Sequence, residues 1–106
     1  MIKHIVMWRV RGDTSEARRA NSEHVKQLFE QLGSQIPGLL KLEVGIDVSG
    51  VDYACDVVLY TEFDSVNALE AYAAHPEHLR VRNELGDLRV ARFQVDYVPG
   101  EDSGRA

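Results

Sequence analysis

The sequence predicts a single α+β domain in which one four-stranded antiparallel sheet carries its helices on one face. Four segments alternate apolar and polar residues with the two-residue period of a strand. Between them, helical segments repeat apolar residues every three or four positions, as amphipathic helices do. The chain has 106 residues, which is enough for one hydrophobic core. We therefore expect one domain with the order strand, helix, strand, strand, helix, strand.

The first strand is predicted over residues 2–10. One of its faces carries Ile2, His4, Val6, Trp8 and Val10. In the turn that follows, Asp13 and Glu16 have the spacing of a helix N-terminal capping box. The helix after this turn has one apolar stripe, formed by Val25, Leu28, Phe29 and Leu32. We expect the stripe and the apolar strand face to lie in the core.

The second and third strands are predicted to form an antiparallel pair. A Pro-Gly turn at residues 36–38 precedes an alternating run over residues 40–48, and a short connection leads to a third strand over residues 53–63. Cys55 is expected on the apolar face of the third strand. As the single cysteine it can form no internal disulfide, and we expect a small buried hydrophobe without a chemical role.

The last third of the chain predicts helices followed by a strand. Asp64 and Ser65 are expected to cap a second helix, which ends before Pro76, and Pro76 opens a further short helix that ends near Gly86. An alternating run over residues 90–98 forms the fourth strand. The order βαββαβ is that of the ferredoxin-like fold, a name that implies no iron–sulfur cluster. We expect the domain to span residues 1–98 and residues 99–106 to form a flexible tail.

Composition and charge exclude several classes of partner. The net charge is -5, and no cluster of lysine and arginine is combined with exposed aromatic residues, so we expect no nucleic acid and no membrane as partners. The first residues lack the apolar centre and cleavage site of a signal peptide, and no apolar run reaches about 18 residues. These features predict a cytoplasmic protein.

One face of the predicted sheet has no helices to cover it. Both helical crossovers are expected on the same side, because such connections are right-handed. The opposite face is predicted to carry Ile5, Met7, Val58 and Tyr60 among the charged residues Lys3, Arg9, Glu43, Asp56, Glu62 and Arg92. This half-polar composition favours a homodimer through the open sheet face. The alternative is a face left in solvent, which antiparallel sheets tolerate.

Several short motifs carry a resemblance to a known family. They are KHIV at residues 3–6, IPGL at 36–39, EVG at 43–45, AYAAHPEH at 71–78 and DY at 96–97. In order and spacing, over residues 1–98, the chain resembles the stress-responsive A/B barrel (Dabb) family. The resemblance implies a homodimer whose two sheets close into an α/β barrel. Members often have a small residue where this chain has Glu77, whose carboxylate would stabilise protonated His78 if the two groups meet.

The candidate functional residues lie on the helix side of the sheet. His4 shares a strand face with Trp8, and a buried histidine needs a partner or a cavity. The resemblance implies a cleft between sheet and helices, because some enzymes of the family place histidines and a tyrosine at positions that match His4, Tyr72 and His78. These groups suit cofactor-free proton transfer, with His78 as base or acid, His4 polarising a carbonyl and Tyr72 donating to a developing enolate. Trp8 and His75 are predicted to contact the ligand.

The sequence leaves several functions open. The first is a homodimer that binds a small apolar or aromatic molecule, and the second is an acid/base enzyme resembling a polyketide cyclase, a decarboxylase or a monooxygenase. In a purely structural interpretation, His4 and His78 hold the fold and His75 caps a helix. Zinc binding by the three histidines lacks a supporting carboxylate or thiolate motif, and no motif favours haem degradation. We predict no cofactor and no metal.

Overall fold

The computed structural model describes residues 1–100. Its elements are β1 (Ile2–Val10), α1 (Ser15–Glu30), β2 (Leu39–Ile46), β3 (Val57–Phe63), α2 (Val66–Ala74), α3 (Pro76–Leu85) and β4 (Arg89–Tyr97). The strands form one antiparallel sheet in the order β2-β3-β1-β4. The predicted ferredoxin-like βαββαβ fold is confirmed. Of the tail predicted as flexible, residues 101–106 lie outside the described residues.

The helix ends follow from side chains that satisfy free backbone groups. Ser65 caps α2 by accepting a hydrogen bond from the Ala68 N–H, as predicted. Pro76 occupies the first turn of α3, where its missing N–H costs nothing. The cap of α1 was predicted at Asp13 and lies one residue later, because the Thr14 hydroxyl accepts from the Ala17 N–H. These caps fix where α2 and α3 begin beside the sheet.

The core lies between the predicted face of β1 and the first helix. Ile2, Val6, Trp8 and Val10 are buried, and so are the stripe residues Val25, Leu28, Phe29 and Leu32. The rings of Trp8 and Phe29 stack with their centroids 4.9 Å apart. Burial of an aliphatic or aromatic side chain of this size contributes about 1.5–3 kcal/mol. The stripe therefore anchors α1 on β1.

The third strand is shorter than predicted. It begins at Val57 rather than at residue 53, and Cys55 lies before it as a free, half-buried thiol. Within the strand the predicted alternation is confirmed, because Val57, Leu59 and Phe63 are buried, as is Thr61, while Val58, Tyr60 and Glu62 are half-buried. The apolar face of β3 therefore points toward the helices, like the apolar face of β1 with which it pairs.

The two faces of the fourth strand are exchanged relative to the sequence prediction. Arg92 pairs with Trp8, and Asp96 pairs with His4. Residues that pair directly across an antiparallel ladder point to the same face, so Arg92 lies on the helix side. Its predicted place on the open face was wrong. The apolar residues of β4 lie on the open face instead, because this strand lies at the sheet edge, where its inward side lines a polar cavity.

The open face of the sheet is consequently more apolar than predicted. Two rows of paired residues run across β3, β1 and β4: Val58, Met7 and Phe93 form one row, and Tyr60, Ile5 and Val95 form the other. Phe93 and Val95 are each 51% exposed. The ammonium group of Lys3 lies 5.7 Å from the centre of the Tyr60 ring and 5.9 Å from that of Tyr97, so cationic and aromatic groups alternate at one end of the face.

Among the described residues, no helix is long and apolar enough to cross a membrane.

Candidate functional site

A cavity of about 470 Å³ lies on the helix side of the sheet. Its walls come mainly from β1, α2, α3 and β4, and its volume falls in the range of about 300–1,000 Å³ that is typical of small-molecule sites. The aromatic and aliphatic part of the lining includes Trp8, Phe29 and Leu59. The side chains that bring polar groups to the cavity are His4, Tyr72, His78, Arg82, Arg89 and Arg92.

His4 is held in the cavity wall by a carboxylate from the neighbouring strand. Its Nδ1 lies 2.6 Å from Oδ1 of Asp96, the residue directly opposite in the β1–β4 register. The His4 residue is only 6% exposed. Since a carboxylate accepts the proton, Nδ1–H of His4 donates to Asp96, and Nε2 is the ring nitrogen left for a ligand. Asp96 therefore orients His4, as a second layer of groups does in many active sites.

Tyr72 and His78 form a close pair of aromatic rings above His4. Tyr72 comes from α2 and His78 from the first half of α3, and their ring centroids are 4.5 Å apart. The His4 ring lies 6.2 Å from the Tyr72 ring. The Tyr72 hydroxyl and Nδ1 of His78 are buried without a well-aligned hydrogen-bond partner among the described residues. The structure thus brings together the three residues that the sequence predicts as catalytic.

The surroundings of this pair set its protonation states. Burial lowers the pKa of His78, a hydrogen bond with the backbone of Ala73 acts in the opposite direction, and the guanidinium groups of Arg82, Arg89 and Arg92 lower the pKa further. Burial raises the pKa of the Tyr72 phenol, and the positive charges of Arg89 and Arg92 only partly counter this. At neutral pH, His78 is therefore neutral and Tyr72 keeps its proton.

The expected effect of Glu77 on His78 does not arise. The Glu77 carboxylate lies 3.3 Å from Nε of Arg80, on the exposed side of α3. It is not among the groups that shift the pKa of His78, and that shift runs toward the neutral form. Adjacent positions on a helix point in different directions, so sequence neighbours need not meet.

The two residues predicted to contact a ligand have different positions. Trp8 is buried and lines the cavity beside Phe29. His75 does not line it, because its Nδ1 accepts a hydrogen bond from the Glu77 N–H at 3.1 Å and caps α3. Helix capping by His75 is the structural alternative that the sequence leaves open. Within residues 1–100, no group of three His, Cys, Asp or Glu side chains is placed to hold a metal ion.

Three arginines of the cavity were missed by the sequence reasoning. Arg82 follows His78 by four residues on α3, so the two side chains share a helix face, and this spacing could have identified it. Arg89 lies with its guanidinium carbon 5.0 Å from the centre of the Trp8 ring. Arg92 was assigned to the wrong face of β4. The cavity is therefore more positively charged than the sequence indicates.

The fold and this cavity define a class of small α+β proteins with a polar pocket between sheet and helices. The chain belongs to the Dabb family, since the family model described as Stress responsive A/B Barrel Domain matches residues 2–99. The family resemblance of the sequence is confirmed. No curated protein matches the chain significantly.

Solved structures share the fold over almost the whole chain. A dimeric ferredoxin-like protein of unknown function from Bacteroides fragilis is 32% identical, with a TM-score of 0.79 and coverage of 91% of this chain and 93% of that one. A Dabb family protein from Mesorhizobium loti is 23% identical, with a TM-score of 0.74 and coverage of 93% and 96%. Hydroxynitrile lyase from Passiflora edulis is 16% identical, with a TM-score of 0.76 and coverage of 94% of both chains. At these lower identities the likeness shows the fold alone.

Proposed function

We propose that the protein binds a small carbonyl compound in this cavity and transfers a proton on it without a cofactor. The observation that carries the proposal is the pair formed by Tyr72 and His78, in which the Tyr72 hydroxyl and Nδ1 of His78 are buried without a well-aligned hydrogen-bond partner among the described residues. A buried polar atom without a hydrogen bond costs about 1–3 kcal/mol. A ligand that supplies an acceptor to Tyr72 and a proton to His78 removes this cost.

Each polar group of the pair has a distinct role in the proposed chemistry. Neutral His78 is the base that removes a proton from carbon next to a carbonyl. Tyr72, which keeps its proton, donates a hydrogen bond to the oxygen as the enolate forms. His4, whose Nδ1–H donates to Asp96, presents the lone pair of Nε2 to the same ligand and accepts a hydrogen bond from a hydroxyl group on it, rather than polarising the carbonyl as the sequence suggested. Return of this proton from His78 to carbon completes an exchange. In a ring closure the enolate carbon bonds to a second carbonyl carbon instead, and His78 gives the proton to the oxygen of that carbonyl. In a decarboxylation the loss of CO2 forms the enolate, and the proton that carbon then takes up comes from solvent water.

One structural relative supports the choice of an enzyme over a pure binding protein. The protein from Passiflora edulis is named a hydroxynitrile lyase, so this fold accommodates an enzyme. The likeness covers nearly the whole chain but is too distant to transfer a reaction. We therefore define the proposed substrate only by chemistry, as a small aromatic or polyketide-like carbonyl compound.

We also propose that the protein forms a homodimer through the open sheet face. The two apolar rows across β3, β1 and β4 form a contiguous, partly exposed patch of the kind that marks an interface. The relative from Bacteroides fragilis is described as dimeric. A second copy of the chain is the occupant that such a face and such relatives favour, with the two sheets closing into a barrel.

The single thiol of Cys55 supports a reducing compartment, and we propose a cytoplasmic location.

Proton exchange into deuterium oxide tests the proposed chemistry without knowledge of the natural substrate. A panel of aryl β-keto acids and esters is incubated with the protein, and loss of the α-proton signal is followed by NMR. The wild type should accelerate exchange of at least one compound. His78→Gln should lose about 100-fold or more of this rate, because a general base contributes about 10²–10⁴-fold.

The matched control is His24→Gln, which replaces an exposed histidine on α1 and should leave the rate unchanged. Exchange at the buffer rate across the panel contradicts the catalytic proposal. An equal rate for wild type and His78→Gln also contradicts it. Binding of panel members without exchange identifies a binding protein instead of an enzyme.

A further inference from the structure

We propose that the cavity selects a ligand carrying a carboxylate, and that Arg82, Arg89 and Arg92 bind this group. The inference rests on the proposed function, since it names the substrate class of the same cavity. Its basis is the convergence of three guanidinium groups, one from α3 and two from β4, on one pocket. Guanidinium groups match carboxylates in shape and charge and bind them through paired hydrogen bonds.

The charge of the pocket is opposite to that of the protein. The chain has a net charge of -5, yet no aspartate or glutamate is among the residues that line the cavity. The carboxylate of Asp96, which contacts the lining residue His4, also accepts a hydrogen bond from the side-chain amide of Gln94. A positively charged pocket in an acidic protein attracts anions selectively.

The three arginines differ from Arg11, Arg19 and Arg80. They also differ from Arg9 and Arg18, which form no ion pair among the described residues either but donate to backbone carbonyl oxygens. Arg11, Arg19 and Arg80 each lie within 4.0 Å of a carboxylate. Over residues 1–100, Arg82, Arg89 and Arg92 form no ion pair within that distance. Their charges are therefore available to an incoming anion.

Arg89 is positioned before any ligand arrives. Its guanidinium carbon lies 5.0 Å from the centre of the Trp8 ring and 5.8 Å from that of Phe29. Burial lowers the pKa of Arg89, and the like charges of Arg92 and Arg82 act in the same direction. An arginine nevertheless stays charged at neutral pH. A carboxylate between these groups would replace their mutual repulsion with attraction.

The other residues that line the cavity indicate the chemistry of the rest of the ligand. Val6, Leu59 and Phe29 provide apolar contacts, while Tyr72 and His78 meet its reacting carbonyl. The structure thus favours an aromatic or cyclic keto acid over a neutral ketone. The carboxylate fixes one end of the molecule and directs the other end to the proton-transfer pair.

Isothermal titration calorimetry with matched probes tests the inference. The probes are 1-naphthoate, 1-naphthamide and 1-naphthyl phosphate, which share one ring system and differ in the polar group. The wild type should bind 1-naphthoate about tenfold or more tightly than 1-naphthamide, as charge-assisted hydrogen bonds allow. The double variant Arg82→Gln/Arg92→Gln should reduce this preference to about threefold or less, since Arg89 remains.

The control double variant is Arg19→Gln/Arg80→Gln, which removes the same charge from arginines outside the cavity. It should retain the wild-type preference, and circular dichroism checks that both double variants fold. Equal binding of 1-naphthoate and 1-naphthamide by the wild type overturns the inference but leaves the proposed function intact. Tighter binding of 1-naphthyl phosphate overturns the choice of a carboxylate. If no probe binds, both the inference and the proposed binding site fail.

Discussion

Asp96 on the edge strand accepts a hydrogen bond from Nδ1 of His4 at 2.6 Å, and the two residues are direct partners in the β1–β4 ladder. This contact links a buried histidine of the cavity wall to a carboxylate that is partly exposed. It explains how a histidine is tolerated on the otherwise apolar face of β1. It also leaves one defined ring nitrogen, Nε2, for a ligand.

We first predict that Asp96→Ala destabilises the protein and releases the His4 tautomer. The variant leaves a buried imidazole donor without an acceptor, which costs about 1–2 kcal/mol of the free energy of unfolding. Urea denaturation measures this loss. In ¹⁵N NMR spectra the wild-type His4 should carry its proton on Nδ1, whereas the variant should show both neutral tautomers. Identical ¹⁵N shifts in the two proteins would mean that Asp96 does not orient His4.

Removal of the Tyr72 hydroxyl should not destabilise the ligand-free protein. The hydroxyl is buried without a partner among the described residues, so Tyr72→Phe removes a desolvated polar group and keeps the ring. We expect an unchanged or slightly increased free energy of unfolding. The control is Tyr60→Phe, which loses a 2.6 Å hydrogen bond from the Tyr60 hydroxyl to the Glu62 carboxylate and should cost about 0.5–1.5 kcal/mol. A loss of more than about 1 kcal/mol in Tyr72→Phe would contradict this account.

The lowered pKa of His78 makes stability depend on pH. In the unfolded chain His78 has its ordinary pKa of 6.5, whereas in the folded protein the value lies below this. Between the two values the unfolded chain binds more protons, so the free energy of unfolding decreases as the pH falls below 6.5. His78→Gln removes this contribution and should lose less stability than the wild type between pH 7 and 5. Denaturation at several pH values measures the difference, and His24→Gln should follow the wild-type curve. A steeper loss in His78→Gln would reverse the sign and contradict the pKa direction.

A charge within one of the two apolar rows of the open sheet face should dissociate the proposed dimer. Val95 lies in the row with Ile5 and Tyr60, and Val95→Asp would place a carboxylate in an apolar contact. Light scattering should give twice the 11.9 kDa chain mass for the wild type and the single chain mass for the variant. Val48→Asp, at an exposed position outside the strands, should remain dimeric. A wild type that is monomeric at micromolar concentration would contradict the interface.

The sequence was sufficient to predict the fold because the core strands and the first helix have clear periodicity. Ile2, Val6 and Trp8 define the inner face of β1, and Val57, Leu59 and Phe63 do the same for β3. The family resemblance indicated His4, Tyr72 and His78, and the structure gathers all three. Their meeting depends on the chain path of α2 and α3, which periodicity alone does not fix.

The edge strand shows why the rest of the site could not be predicted. On β4, the rule that apolar residues face the core points the wrong way, because Phe93 and Val95 lie on the open face while Arg92 and Asp96 lie on the cavity side. The apolar open face, which we propose as an interface, and the polar cavity on the other side of the same strand reverse the usual pattern. His75 illustrates a second limit, since the sequence left open whether it contacts a ligand or caps a helix, and only the position of α3 shows the cap.

A crystal structure with 1-naphthoate is the measurement that tests the central claim most directly. We predict the naphthalene ring in the cavity between β1, β4 and the helices α2 and α3, with its carboxylate on the arginines and its ring beside Tyr72 and His78. The account would be contradicted if 1-naphthoate, at a saturating concentration, bound elsewhere on the protein. In that structure the cavity would be closed or filled only by water.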